Sequence, residues 1–357
     1  MPPLKIVLII SAVLVVLIVI VIFKKIDQRQ GENNLVEQAN DSLSVDTHVH
    51  LQGRDLESAA AKLVDEMDKQ QVDIAIIVTV PGRPQVEPSV IEARTQEAVA
   101  LYPDRLKAMT GGAVLGRLMQ STSVEQVTEE NLATFRETAQ ELLKEDSVVG
   151  FGEMLAMHLC MNESHSYQEI MPNHPFYFAL ADIAAEENVP IDIHMEAVLQ
   201  DMTMPEGLLI RCSKNPSILK GTIEPFKELL AHNPETNIVW QHIGWDNVGV
   251  MTPNLMRELL SQYNNLYLSL RVTQATQGPN RIVDSQGNIS KEWLQLFVDF
   301  PDHFMLGSDQ FVGDLGEGVK NASPSFVSTW DIIKQLPSDL ASKIAGENAS
   351  RIYHLEK

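Results

Sequence analysis

Short apolar, β-rich runs alternate eight times with longer amphipathic stretches between residues 44 and 355, and an uncharged apolar run occupies residues 6–23. Neither a dinucleotide-binding GxGxxG nor a phosphate-binding GxxxxGK[ST] occurs, which removes the usual support for an open nucleotide-binding sheet. Together these observations predict an α/β chain: a (β/α)8 TIM barrel preceded by an N-terminal transmembrane helix.

The apolar run "IVLIISAVLVVLIVIVIF" would span about 27 Å as a helix, close to the roughly 30 Å hydrocarbon core. A cleaved signal peptide would show a shorter apolar region and a small-residue cleavage site, and neither is evident. The reading is therefore an anchor over 4–25, a polar linker over 26–43 and the barrel over 44–357. Lys5 precedes the run, whereas Lys24, Lys25 and Arg29 follow it, so the positive-inside rule favours a cytoplasmic barrel. With so short an N-terminal tail many anchors insert the other way, and the side of the membrane stays open.

The expected strands are 44–51, 73–80, 106–114, 147–154, 189–196, 237–244, 265–272 and 303–310. Between them, 56–71, 131–145, 175–188, 223–232 and 253–263 carry apolar residues at helical spacing. Strand–helix alternation requires crossovers and hence parallel pairing.

A net charge of −21 argues against a nucleic-acid partner, because phosphate backbones are bound by clustered Lys and Arg. The two cysteines, Cys160 and Cys212, exclude a thiolate-rich zinc site and leave room for one disulfide.

In a parallel barrel, function gathers where strands end. His48 and His50 close the first expected strand, Glu153 the fourth, His194 the fifth, His242 the sixth and Asp309 the eighth. On an extended strand residues two apart share a face, so the imidazoles of His48 and His50 can converge on one divalent ion while Thr47 and Val49 point away. A lone histidine after an apolar run is usually a satisfied core residue, and an aspartate there is often a helix N-cap. Six ligand-type side chains at the ends of five of the eight strands form a pattern that neither reading accounts for. His232 and His303 precede strands and read as structural. His158, His165 and His174 fall near the loop after the fourth strand and read as solvated side chains.

"VDTHVHL", "YPDRLKA" (102–108), "VPIDIHME", "IVWQHIGW", "FMLGSDQF" and "GENASRIYHL" (346–355) resemble, in order, the motifs of the amidohydrolase superfamily, in its amidohydrolase-related branch of metal-dependent hydrolases. The resemblance implies a divalent metal, most readily zinc, held by His48, His50, His194 and Asp309. His242 would bind a second ion or polarise the substrate. Glu153 departs from the carboxylated lysine of many two-metal members and resembles the bridging glutamate of TatD-like nucleases and some phosphotriesterase-like proteins, so one or two ions remain open.

The expected function is hydrolysis of a small-molecule amide, ester, lactone or similar bond, with Asp309 and His242 as catalytic groups. Non-oxidative decarboxylation is the alternative, with Arg271 after the seventh strand holding a substrate carboxylate. A membrane-tethered, non-catalytic metal-binding protein is the third reading. The loops 155–173 and 197–221 are expected to wall the pocket, and a homodimer remains open.

Overall fold

The computed structural model describes residues 43–79, 86–163, 166–273, 280–313 and 325–356. The expected anchor and all but the end of the linker lie outside these residues, as does His165. Among the described residues no helix is long and apolar enough to cross a membrane.

Eight parallel strands form the sheet: β1 Val45–Gln52, β2 Ile74–Ile77, β3 Leu106–Gly111, β4 Val148–His158, β5 Ile191–Met195, β6 Ile238–Ile243, β7 Leu266–Leu270 and β8 Phe304–Leu306. Each pairs with its neighbours in chain order, and Asp46 opposite Leu306 joins β1 to β8 and closes the barrel. The outer layer includes α1 Leu56–Gln70, α2 Pro88–Val99, α3 Glu129–Leu142, α4 Pro175–Glu186, α5 Ile223–His232, α6 Pro253–Gln262 and α7 Lys291–Asp299.

Alternation along the strands sorts the apolar residues into two clusters. Ala75, Ile77, Ile193, Leu268 and Leu270 face outward and pack with helix residues such as Leu63, Phe135, Leu229 and Phe297. Val45, Ile74, Ile76, Val78, Met109, Val239, Tyr267 and Met305 form a separate cluster with Ala349, Ile352 and Tyr353. The C-terminal segment therefore plugs the interior, and the other mouth is left for the strand C-termini.

Most strands are shorter than their apolar runs, because residues such as Thr79 and Val272 continue the chain beyond the last ladder pair. β1 keeps its expected length, and β4 exceeds it. The latter runs on to His158 because Met157 and His158 gain an antiparallel partner in Gln168–Glu169, so the expected loop from 155 is partly strand. Between β5 and α5, Met202–Thr203 pairs with Ile218–Leu219 around a short helix, Glu206–Arg211. Cys160 and Cys212 form a disulfide between these two long loops, with Cα atoms 5.8 Å apart.

Four of the ladders shift register, and three shifts coincide with expected ligands. One extra residue lies on β1 between Asp46 and Val49, on β4 between Phe151 and Met154, and on β6 between Trp240 and Ile243. These bulges contain His48, Glu153 and His242. The first corrects the strict alternation expected for "THVH". Thr47 does not point away, because its hydroxyl lies 3.1 Å from that of Ser269, on the same face of β7 as inward-facing Tyr267. A bulge re-aims a side chain that alternation would have sent elsewhere.

Candidate metal centre

All seven residues singled out in the sequence meet at the C-terminal mouth of the barrel. His48 Nε2 and His50 Nε2 lie 3.2 Å apart, and His50 Nδ1 is anchored on the carbonyl of Val78 at 3.2 Å. Glu153 reaches across the mouth: Oε1 is 2.6 Å from His194 Nδ1, 2.9 Å from His242 Nε2 and 3.7 Å from His48 Nε2. Asp309 divides its oxygens. Oδ1 faces His50 Nε2 at 3.0 Å, whereas Oδ2 accepts from Arg271 Nη1 at 2.6 Å and lies 3.8 Å from His242 Nδ1.

Local backbone conformation sets these directions. His242 and Asp309 have φ of 64° and 52°, in the left-handed region that non-glycine residues seldom occupy. Such strain persists only where surrounding contacts enforce it. For Asp309 the enforcement is visible. Its N–H donates to the His48 carbonyl, the N–H of Ser308 donates to Asp46 Oδ1, and β1 resumes parallel pairing with Gln310–Gly313 immediately afterwards. The chain leaves the ladder for three residues and delivers Asp309 to the mouth.

Burial governs the electrostatics. It drives the His48 and His242 imidazoles below their ordinary values, keeping them neutral with a lone pair for a cation. Burial alone would raise the Glu153 carboxyl, but His194 and His48 hold it well below the usual carboxylate range. Asp309, also opposed by burial, is held low by Arg271 and His242. His194 is pulled upward by Glu153 against its own desolvation.

This donor set fits a divalent cation. Three overlapping triads, His48–His242–Asp309, His48–His50–Glu153 and Glu153–His194–His242, each bring their ligand atoms within 4.8 Å of one another. Neutral imidazole nitrogens and ionised carboxylate oxygens are the donors that zinc and similar ions accept. Among the described residues, His48 Nδ1 and His242 Nδ1 are buried without a hydrogen-bond partner.

Sequence reasoning missed three supporting residues. Glu92 is buried on α2, accepts from the backbone N–H groups of Gly111 and Ala113, and takes the hydroxyls of Thr79 and Thr110, so it stitches the ends of β2 and β3 together. Trp245 underlies the Arg271 guanidinium, which sits 4.0 Å from its ring centroid. Glu196, just past His194, is 5% exposed; Asn247 donates to its Oε1 at 2.6 Å, and among the described residues its Oε2 has no partner. Burial pushes its carboxyl up to about 7. A glutamate inside "HME" was the available signal for the last. Glu92 and Trp245 carried none, because their roles depend on contacts across the fold.

Among the other histidines, His174 accepts from the Phe176 N–H at the start of α4. His232 pairs with Asp182 and His303 with the Leu266 carbonyl. His158 approaches the centre, its ring 5.1 Å from that of His194.

A closed parallel barrel with a buried histidine–carboxylate cluster at its C-terminal mouth has the form of a barrel enzyme whose mouth could hold a metal ion. The family model described as Amidohydrolase matches residues 45–355, and the chain belongs to that family, within the amidohydrolase superfamily. No curated protein sequence matches it. Three of the solved structures that share the fold serve as examples. One is described as amidohydrolase II (TM-score 0.50, 12% identity, 87% of this chain and 100% of that one). Another is a weak promiscuous lactonase template used to engineer organophosphate hydrolysis (0.50, 13%, 88% and 97%). The third is the D-hydantoinase (dihydropyrimidinase) of Thermus sp. (0.51, 13%, 87% and 70%).

Proposed function

We propose that this chain is a metal-dependent hydrolase of small-molecule amide, ester or lactone bonds, using one or two divalent ions, with zinc the best chemical match. Glu153 carries the reading. A single carboxylate between the β1 histidines on one side and His194 and His242 on the other suits a shared ligand of two neighbouring cation sites. His48, His50 and Asp309 would complete one site and His194 and His242 the other.

When bound, the cation supplies Lewis acidity that acidifies water and polarises the scissile bond. The chain supplies the rest. Asp309, ionised and fixed by Arg271 through Oδ2, presents Oδ1 toward the β1 histidines, where it can take the proton of an attacking water and pass it to the leaving group. The Nδ1 of His242 faces the same carboxylate and can donate to an oxyanion developing beside it. Hydrolases among the structural neighbours are compatible with this chemistry but share only the fold.

The test uses the zinc-loaded full chain and a panel of amides, esters and lactones. Asp309→Asn should lower kcat by about 10²–10⁴-fold, the range for losing a positioned proton carrier, while the circular dichroism spectrum is retained. Wild-type turnover in that variant would overturn the assignment. Carbon dioxide release without solvent oxygen in the product would replace it with decarboxylation.

A further inference from the structure

Arg271 is chemically out of place in a cation site. Its guanidinium touches Asp309, a carboxylate that faces the cation-binding histidines with its other oxygen. Two positive charges then compete for one carboxylate, which weakens both Asp309 as a ligand and cation binding as a whole. A structural arginine could pair with carboxylates elsewhere on this strongly acidic chain at no such cost.

The arginine is also built in. Its guanidinium lies on the Trp245 ring, and Trp245 belongs to a loop fixed by Asp246, which accepts the N–H groups of Val248, Gly249, Val250 and Met251 and the amide of Asn280. Stacking occupies one face of the guanidinium and leaves its in-plane N–H groups for hydrogen bonding. One of them meets Asp309; among the described residues Nε has no acceptor. The side chain stays 14% exposed at the mouth.

Resting on the hydrolase reading, we infer that Arg271 on its Trp245 platform is an anion-binding subsite, and that the substrates carry a carboxylate beside the bond to be cleaved. A substrate anion placed between guanidinium and cation screens their repulsion, so affinity for the two is coupled. Arginine suits this task because its planar fork matches a carboxylate.

Glutarate and its neutral diamide, glutaramide, test this by calorimetry on the zinc-loaded full chain. Glutarate affinity should fall at least tenfold in Arg271→Met, with zinc content preserved and glutaramide unaffected. Trp245→Leu, which leaves every cation-facing side chain in place, should give a smaller loss in the same direction. Equal glutarate affinity in wild type and both variants, or none in wild type, overturns the subsite. Hydrolysis of neutral substrates as fast as that of their carboxylated counterparts, with neither rate changed in Arg271→Met, would overturn it while leaving the hydrolase standing. Arginine-dependent glutarate binding without any hydrolysis would do the reverse.

A second observation stands independently. Both cysteines of the chain are fully buried and bonded to each other, joining the loops after β4 and β5. The Asn215 side chain bonds both the N–H and the carbonyl of Cys160 and also the Leu208 carbonyl, so the link is braced. Disulfides persist in oxidising compartments and are rare in the cytosol. We infer that the barrel folds outside the cytoplasm, opposite to the side favoured by Lys24, Lys25 and Arg29. There the two thiols surrender two protons and two electrons to a protein disulfide oxidant. Cells expressing the full chain, acid-quenched and alkylated with N-ethylmaleimide under denaturing conditions, should yield an unmodified, faster-migrating non-reduced band. Alkylation of both cysteines without reductant would overturn the inference.

Discussion

Glu196 shows what a single buried carboxyl does to this mouth. Its carboxyl is raised from 4.5 to about 7, chiefly by burial, so the folded state holds its proton more tightly than the unfolded chain does. Its contribution to stability is therefore intact below pH 4.5 and is lost as pH rises through about 7. At about 1.4 kcal/mol for every tenfold change in proton affinity, the loss comes to roughly 3 kcal/mol. Glu196→Gln, in chelator-treated protein, should melt higher than wild type at about pH 8 and close to it at about pH 4.5. Equal displacement at both values would contradict the assignment. The sequence displayed His48, His50, His194, His242 and Asp309 because ligand chemistry at strand ends leaves a one-dimensional pattern. Arg271 was visible only as a cation after a strand. Its partner Asp309 and its support Trp245 come from neighbouring strands and loops, so no local spacing records them.

At the scale of elements, strand order and helix faces were legible because periods of 2 and 3.6 dominate their sequences. The bulges in β1, β4 and β6 were not, since an inserted residue breaks the period without a fixed residue signature. Close backbone approach is equally silent. A Cβ on Gly112, in the turn after β3, would lie 2.6 Å from the Thr79 carbonyl oxygen and 2.8 Å from both the N and O of Glu153. These are backbone atoms of neighbouring chain segments and cannot rotate aside. Gly112→Ala should cost about 1–3 kcal/mol, the usual range for overpacking, and weaken zinc binding at least tenfold by displacing Glu153. Gly116→Ala, in the helix Val114–Ser121 where an added Cβ meets no atom of the described residues within 4 Å, is the matched control and should be neutral or stabilising by up to about 1 kcal/mol. Chemical denaturation with and without zinc separates the two effects, and identical behaviour of the two variants would refute the role given to Gly112.

Across the whole molecule, the cluster draws side chains from β1, β4, β5, β6 and the segment after β8, between positions 48 and 309. An unfolded chain cannot assemble that set, so cation binding should stabilise the folded state almost exclusively. At a free concentration of 100 times Kd, each independent ion adds about 2.7 kcal/mol. If Glu153 is shared, wild type should bind two zinc ions and show a two-step loss of stability on chelation. His194→Ala should keep the ion supported by His48, His50 and Asp309 and lose one step. Glu153→Gln, which neutralises the carboxylate between the two sites, should lower affinity at both. Zinc content by atomic absorption, read beside the unfolding midpoint, distinguishes these outcomes. A wild-type stoichiometry of one, unchanged by His194→Ala, would reduce the centre to the β1 and Asp309 site and leave Glu153 and His242 as supporting groups around a single ion.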